Sequence, residues 1–458
     1  MTHLPNSLAG RDIASMVHPY TNLDRHQTVG PFVAASGDGC YITDDNGVRY
    51  LEGMAGLWSA SLGFSEPRLA EAAARQMATL PFYHSFNHRS HEPMIALAEK
   101  LMSIAPPGLV RALFANSGSE ANDQAIKLVW YYNQGLGRPE KRKIISRIRA
   151  YHGVTVASAS LTGLPPNHTD FNLPLPGFLH TDCPSFYLNG QPGESEAAFT
   201  DRIVGNLEAM IEAEGPDTIA AFWAEPIMGA GGVYLPPEGY FAKVQALLKK
   251  HDILFVVDEV ITGFGRTGNM FACETYGLKP DMMVVAKALS ASFLPISATL
   301  ISGPIHEVLL SQSRKLGSFA HGFTYSGHPA SAAVALETLK IYEERDTVGH
   351  VRAVSPLFQK RLMALGAHPL VGEARGTALI GGLELVKDKA AKTLFEPSQG
   401  VALAVVAACL ERGVILRAIR DIVAVCPPLI ITEAQITVLF DALEEALDQV
   451  AAKVLAPA

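Results

Sequence analysis

From about Pro67 onward, short apolar runs alternate with amphipathic stretches. Runs at 143–146, 219–223, 253–257 and 282–286 show no polar alternation, the pattern of strands buried on both faces. Helical periodicity fills the intervals, most clearly over 121–132, 197–214 and 240–250. Strands alternating with helices predict an α/β domain with a mostly parallel central sheet flanked by helices. The tail differs. It predicts helices at 329–344, 351–365, 400–412 and 432–453 and a strand pair around 378–385, a second and smaller α+β unit. The first forty residues are irregular, and 39–51 reads as a hairpin around Asp44-Asp45-Asn46-Gly47. The expected division is an N-terminal segment 1–66 that helps complete the small domain, a large domain 67–328, and a C-terminal small domain 329–458. The Gly/Pro-rich connector 164–176 reads as a functional loop inside the large domain.

One stretch could suggest a membrane span. Between Asp281 and His306 the only charge is Lys287. Pro295, Gly303 and Pro304 interrupt it, so it reads as two buried strands joined by a loop. No membrane association is expected. The chain is 48% hydrophobic and 18% charged, which excludes wholesale disorder. A formal net charge of −8 without a basic tract argues against a nucleic-acid surface. Cys40, Cys183, Cys273, Cys409 and Cys426 form no CxxC pair, so neither a disulfide framework nor a cysteine metal site is expected. The cysteines, and a start without basic and apolar signal regions, predict a cytoplasmic protein.

Candidate chemistry lies at the ends of the apolar runs. Lys287 closes the run Met282-Met283-Val284-Val285-Ala286, where an ammonium is poorly solvated; it is either a snorkelling strand-end lysine or chemically used. Asp258 closes a second run, so both charges fall at strand ends, where open parallel sheets place ligands. A structural ion pair between them is the plainer alternative. Asn116-Ser117-Gly118-Ser119-Glu120 precedes a helix and can cradle a phosphate or simply cap the helix. Tyr151, before His152-Gly153, can stack on a flat ring or pack. Gly263-Phe264-Gly265-Arg266-Thr267-Gly268 satisfies GxGxxG, but no clear helix follows it. A glycine-rich structural loop is expected there, not a dinucleotide site.

In order along the chain stand Asn-Ser-Gly-Ser-Glu-Ala-Asn (116–122), Tyr-His-Gly (151–153), Ala-Glu-Pro-Ile (224–227), Val-Asp-Glu-Val-Ile-Thr-Gly-Phe-Gly-Arg-Thr-Gly (257–268), Ala-Lys-Ala-Leu-Ser (286–290) and His-Gly-Phe-Thr-Tyr-Ser-Gly-His-Pro (321–329). This set closely resembles the class III aminotransferases, pyridoxal 5′-phosphate (PLP) enzymes of fold type I, and within them the ω-amino acid or amine:pyruvate branch. The resemblance runs from Gly-Leu-Trp (56–58) to Ala-Val-Cys-Pro-Pro-Leu (424–429). It implies that Lys287 forms the Schiff base with PLP and shuttles the proton between substrate Cα and cofactor C4′. Asp258 would pair with the pyridine nitrogen, Tyr151 and Val260 would sandwich the ring, and Glu225 would support the pocket. Ser117, Gly118 and Ser119 would form the phosphate turn. Phe323 would bind the cofactor and Thr324 would reach the phosphate from a neighbouring subunit, which implies a homodimer with shared active sites and leaves a tetramer open.

On the substrate side the resemblance places a mobile carboxylate clamp at Arg417. Trp58, Phe86, Tyr151 and Ile261 would line an apolar binding site, with room beside Ala230. Ornithine- and 4-aminobutyrate-type relatives carry glutamine where Ile261 stands, which argues against those activities. Ala288 follows the lysine where many relatives have glycine, without clear consequence for the chemistry. The expected activity is ping-pong transfer of an amino group from a primary amine or ω-amino acid to pyruvate or another 2-oxo acid. An aminomutase, racemase or decarboxylase on the same fold is the alternative, and no metal is expected.

Overall fold

The computed structural model describes residues 4–455. Residues 1–3, part of the segment read for a secretory signal, and 456–458 lie outside the described residues. A seven-stranded sheet forms the centre of the large domain, in the order Leu109–Ala115, Ser297–Ser302, Met282–Val285, Leu254–Asp258, Ile219–Ala224, Lys143–Arg147, Phe178–Thr181. Pairing is parallel among the last five and antiparallel on both sides of Ser297–Ser302. Ile219–Ala224 and Met282–Val285 are buried at every position, which explains why neither shows polar alternation in sequence. Separate apolar clusters cover the two faces, one built on Phe199, Phe222 and Phe255, the other on Ile126, Trp223 and Val256. The stretch around Lys287 is two strands joined by a turn, and among the described residues no helix is long and apolar enough to cross a membrane.

The small domain joins both chain ends. Strands Ala34–Asp38, Tyr41–Asp44 and Arg49–Glu52 form an antiparallel meander, and Val414–Ile415 adds in parallel to its last strand. Asp44 accepts from the N–H groups of Asn46 and Val48 at 2.9 and 2.8 Å, an Asx turn that explains the hairpin signal. A second sheet, Val371–Thr377, Ile380–Leu385, Ile422–Val425 and Arg417–Ile419, lies with helices Thr347–Ala364, Val401–Glu411 and Glu433–Val454 around Phe358 and Phe440.

Two readings shift. Helix Pro329–Glu344 forms as expected, yet Ala332, Val334, Ala335, Leu339 and Tyr342 sit in the large-domain core, so the expected start of the small domain at 329 moves to the helix Thr347–Ala364. Periodicity shows that a helix has an apolar face but not which core receives it. The Gly263–Gly268 segment is the structural loop expected. Its buried Arg266 donates to the carbonyls of Leu379 and Pro427 at 2.9 and 2.6 Å, fastening the small domain to the large one.

Candidate active site

The C-terminal ends of the central strands open into a cavity of about 610 Å³ between the two domains. Asp258 ends one strand and Glu225 follows another, while Lys287 begins the turn after Met282–Val285. Lys287 adopts φ +50, a left-handed conformation that a side-chain-bearing residue holds only under constraint. Burial pulls its ammonium down from 10.5 to about 8, with Asp258 and Glu225 opposing. Near neutrality it therefore gives up its proton far more readily than an exposed lysine.

Asp258 is held from one side. Its Oδ2 accepts from Asn122 Nδ2 and from His152 Nδ1, both at 2.9 Å, while Oδ1 accepts only the Val260 N–H at 3.1 Å. Trp223 Nε1 in turn holds Asn122 Oδ1 at 2.9 Å. The carboxylate is thus oriented by buried nitrogen donors and keeps acceptor capacity at Oδ1. Glu225, its proton affinity raised by burial, accepts from the N–H groups of Tyr151 and Gly229 at 3.0 Å each. It sets the backbone that carries Tyr151 and Ala230.

Helix Gly118–Gly135 points its N-terminus into the cavity, and the capping read from the sequence is present. Ser117 accepts from Glu120 N at 3.2 Å and Glu120 from Asn116 N at 2.8 Å, so the helix is capped. Gly118 and Ser119 line the cavity with first-turn N–H groups that have no partner within the helix. A Cβ on Gly118 would lie 3.2 Å from Val260, and one on Gly153 would lie 2.5 Å from Ser119 Oγ. The backbone there is pared back to leave a cradle.

A capped helix N-terminus for a phosphate, an aliphatic Val260 and aromatic Tyr151 for a flat ring, a buried acid with a free lone pair and a readily deprotonated lysine together fit PLP. These are the donors and walls that group needs. Trp58 (φ +65), Ala230 and Ile261 complete an apolar wall. Arg417 lines the opposite part, its proton affinity lowered by burial, and among the described residues it forms no ion pair. Tyr151 holds its phenolic proton tightly through burial and a hydrogen bond with Tyr20.

Other expected site residues lie apart. Phe86 is not among the lining residues of its own chain's cavity; it is 43% exposed and packs on Gly322, where an added Cβ would be 2.7 Å from its ring. Phe323 and the exposed Thr324 share that surface, and Ser117 caps the helix without lining the cavity. Conversely, Asn122 and His152 stood inside quoted motifs without an assigned role. Tyr20 and Asn167 are joined by a 2.5 Å hydrogen bond across the cavity mouth; Asn167 falls in the connector 164–176 read as a functional loop, while Tyr20 carries no local sequence signal.

Residues 23–447 match the family described as Aminotransferase class-III. The chain belongs to that family. This class III aminotransferase is 50% identical over 441 residues to gamma aminobutyrate transaminase 3, chloroplastic, of Solanum lycopersicum, covering 95% of this chain and 85% of the relative. The solved omega transaminase from Pseudomonas jessenii in complex with PMP superposes with a TM-score of 0.97 at 50% identity, over 99% of this chain and 100% of that one. A transaminase solved with L-ala is 57% identical, with a TM-score of 0.91 over 92% and 99%. The aminotransferase therefore has the PLP fold type I architecture, and PLP is the cofactor its family uses. The similarity to a protein named for gamma aminobutyrate stands against the expectation drawn from Ile261.

Proposed function

We propose that this aminotransferase is an ω-transaminase that moves the amino group of a primary amine or ω-amino acid to pyruvate or another 2-oxo acid in a ping-pong sequence. The observation that carries the reading is one cavity joining a lysine whose proton affinity is lowered to about 8, an apolar wall and an arginine without an acidic partner. PLP, when bound, supplies the electron sink for the amine's Cα–H electrons. Lys287 would hold it and then, as a free amine, take the proton from the substrate carbon and return it. Asp258, fixed by His152 and Asn122, would face its charge toward the ring nitrogen. Gly118 and Ser119 would bind the phosphate, and Tyr151 and Val260 would confine the ring.

Arg417 is suited to clamp the carboxylate of the oxo acid and to withdraw when the donor has none. The solved relative with L-ala supports alanine and pyruvate as one pair, and the curated relatives' names support an ω-amino acid as donor. In this reading Phe86, Phe323 and Thr324 serve the site of a second copy. The exposed rings of Phe82 and Tyr325, 5.7 Å apart on the same surface, support a homodimer. Light scattering of the purified protein tests for a dimer or tetramer. Five free, buried thiols support the cytoplasmic location.

A visible spectrum of the purified protein tests the function. An amine donor should bleach the cofactor band, pyruvate should restore it, and alanine should appear in equal amount. A band that persists with every amine and ω-amino acid tried, or product formed without alanine, overturns the reading.

A further inference from the structure

Arg420 lies three residues beyond Arg417, in the turn between strands Arg417–Ile419 and Ile422–Val425, and lines the same cavity. Its backbone sits at φ +54, where glycine is free and any other side chain is strained. Closing the hairpin needs no long cation at that position. A strained choice of this kind at a cavity rim points to use of the side chain.

Its hydrogen bonding is largely unsatisfied. Arg420 Nη2 donates to the Gly231 carbonyl at 3.2 Å, and among the described residues the guanidinium forms no ion pair. The acids nearby are committed elsewhere, since Glu384 and Glu373 accept from Arg375 at 2.9 and 2.7 Å. Asp421 feels the charge of Arg420 but is not paired with it. A second cation stands behind. Arg149, at φ +71, donates to the Tyr234 hydroxyl, forms no ion pair among the described residues, and repels the charge of Arg420. Close backbone packing holds the two together, for a Cβ on Gly231 would lie 2.2 Å from the Arg149 carbonyl oxygen. Two like charges beside one wall, with Glu384 and Asp421 near but paired to neither among the described residues, form a place that an anion stabilises.

We propose that Arg420, backed by Arg149, is a second carboxylate anchor at the rim of the cavity, separate from Arg417. The inference rests on the transaminase reading of the Lys287 pocket. Arg417 acts on the charge of Lys287, whereas Arg420 sits in the turn at the rim, so a carboxylate held at Arg420 lies further from the reacting carbon than one held at Arg417. The ligand class is therefore an unbranched ω-amino acid longer than one that Arg417 would clamp, amine and carboxylate at opposite ends. Its amine reaches Lys287 while its carboxylate stays at the rim.

The test compares 6-aminohexanoate with hexylamine, which lacks the carboxylate, as donors to pyruvate in the wild-type holoenzyme, R420Q and R420K. For R420Q the ratio of kcat/KM for 6-aminohexanoate over hexylamine should fall about tenfold, the value of a charge-assisted contact, with R420K retaining most of it. A ratio that falls less than about fivefold, including the case where hexylamine loses as much, overturns the proposal. Calorimetry supplies a readout without turnover: the wild type should bind adipate more tightly than hexanoate, and R420Q should lose that preference. Equal preferences in both proteins overturn it. If neither donor bleaches the wild-type cofactor band, the transaminase reading fails, and the adipate titration still decides the anchor.

Discussion

Asp258 and Arg266 belong to one short stretch of chain and are about equally buried, 4% and 3% exposed, yet they do opposite things. Arg266 gives its guanidinium to two backbone carbonyls of the small domain, and the contact is closed. Asp258 is gripped at Oδ2 by two nitrogen donors while Oδ1 keeps acceptor capacity beside the cavity. Burial alone does not separate a structural charge from a functional one. What separates them is whether the protein has already satisfied the group.

The sharpest way to widen that contrast is at Lys287. K287A should lose more than ~10,000-fold in transamination, since in the proposed mechanism one residue would both hold the cofactor and move the proton, while circular dichroism shows an intact fold. D258N should lower kcat by about 100- to 1,000-fold and leave the unfolding midpoint nearly unchanged, because shape and neighbours stay and only the charge goes. R266M should do the reverse. Two buried carbonyls lose their partner, so chemical denaturation should show a loss of about 3 kcal/mol, while kcat per folded active site stays within about twofold. A large kcat loss in R266M with unchanged stability would break the comparison.

The smallest effect is expected at Glu52, which accepts from Gly56 N at 2.6 Å and Met54 N at 3.2 Å and so holds the strained segment leading to Trp58. Burial raises its carboxyl from 4.5 to about 7. Between those values the folded chain keeps a proton that the unfolded chain has released, so stability falls as pH rises through this window. E52Q removes that titration. Its stability relative to wild type should therefore rise by about 1–2 kcal/mol between pH 5 and pH 8, read from paired unfolding curves.

Much of the fold is legible in the chain because burial on two faces leaves an uninterrupted apolar run, as in Ile219–Ala224, and because a turn such as Asp44–Gly47 is made by its own side chains. The centre of the site is legible for a related reason. A charge ending an apolar run, as at Asp258 or Lys287, is anomalous within a few residues of sequence. Tyr20, Asn167 and Arg420 are not anomalous locally. Each becomes notable only where the irregular N-terminal segment, the 164–176 connector and the small-domain hairpin meet at one cavity mouth.

The amino-acid sequence by itself determined the family, the order of strands and helices, and the lysine, acid and helix-capping turn that meet at the cavity, because those depend on local periodicity and on residues a few positions apart. Only the tertiary structure decided which core takes the helix Pro329–Glu344, that His152 and Asn122 orient Asp258, that Phe86 stands outside its own chain's cavity, and that Arg420 stands at the rim without an acidic partner. The physical reason is the same in each case. An apolar face or a charge is written locally, but its partner is chosen from residues far along the chain, and that choice exists only once the chain has folded.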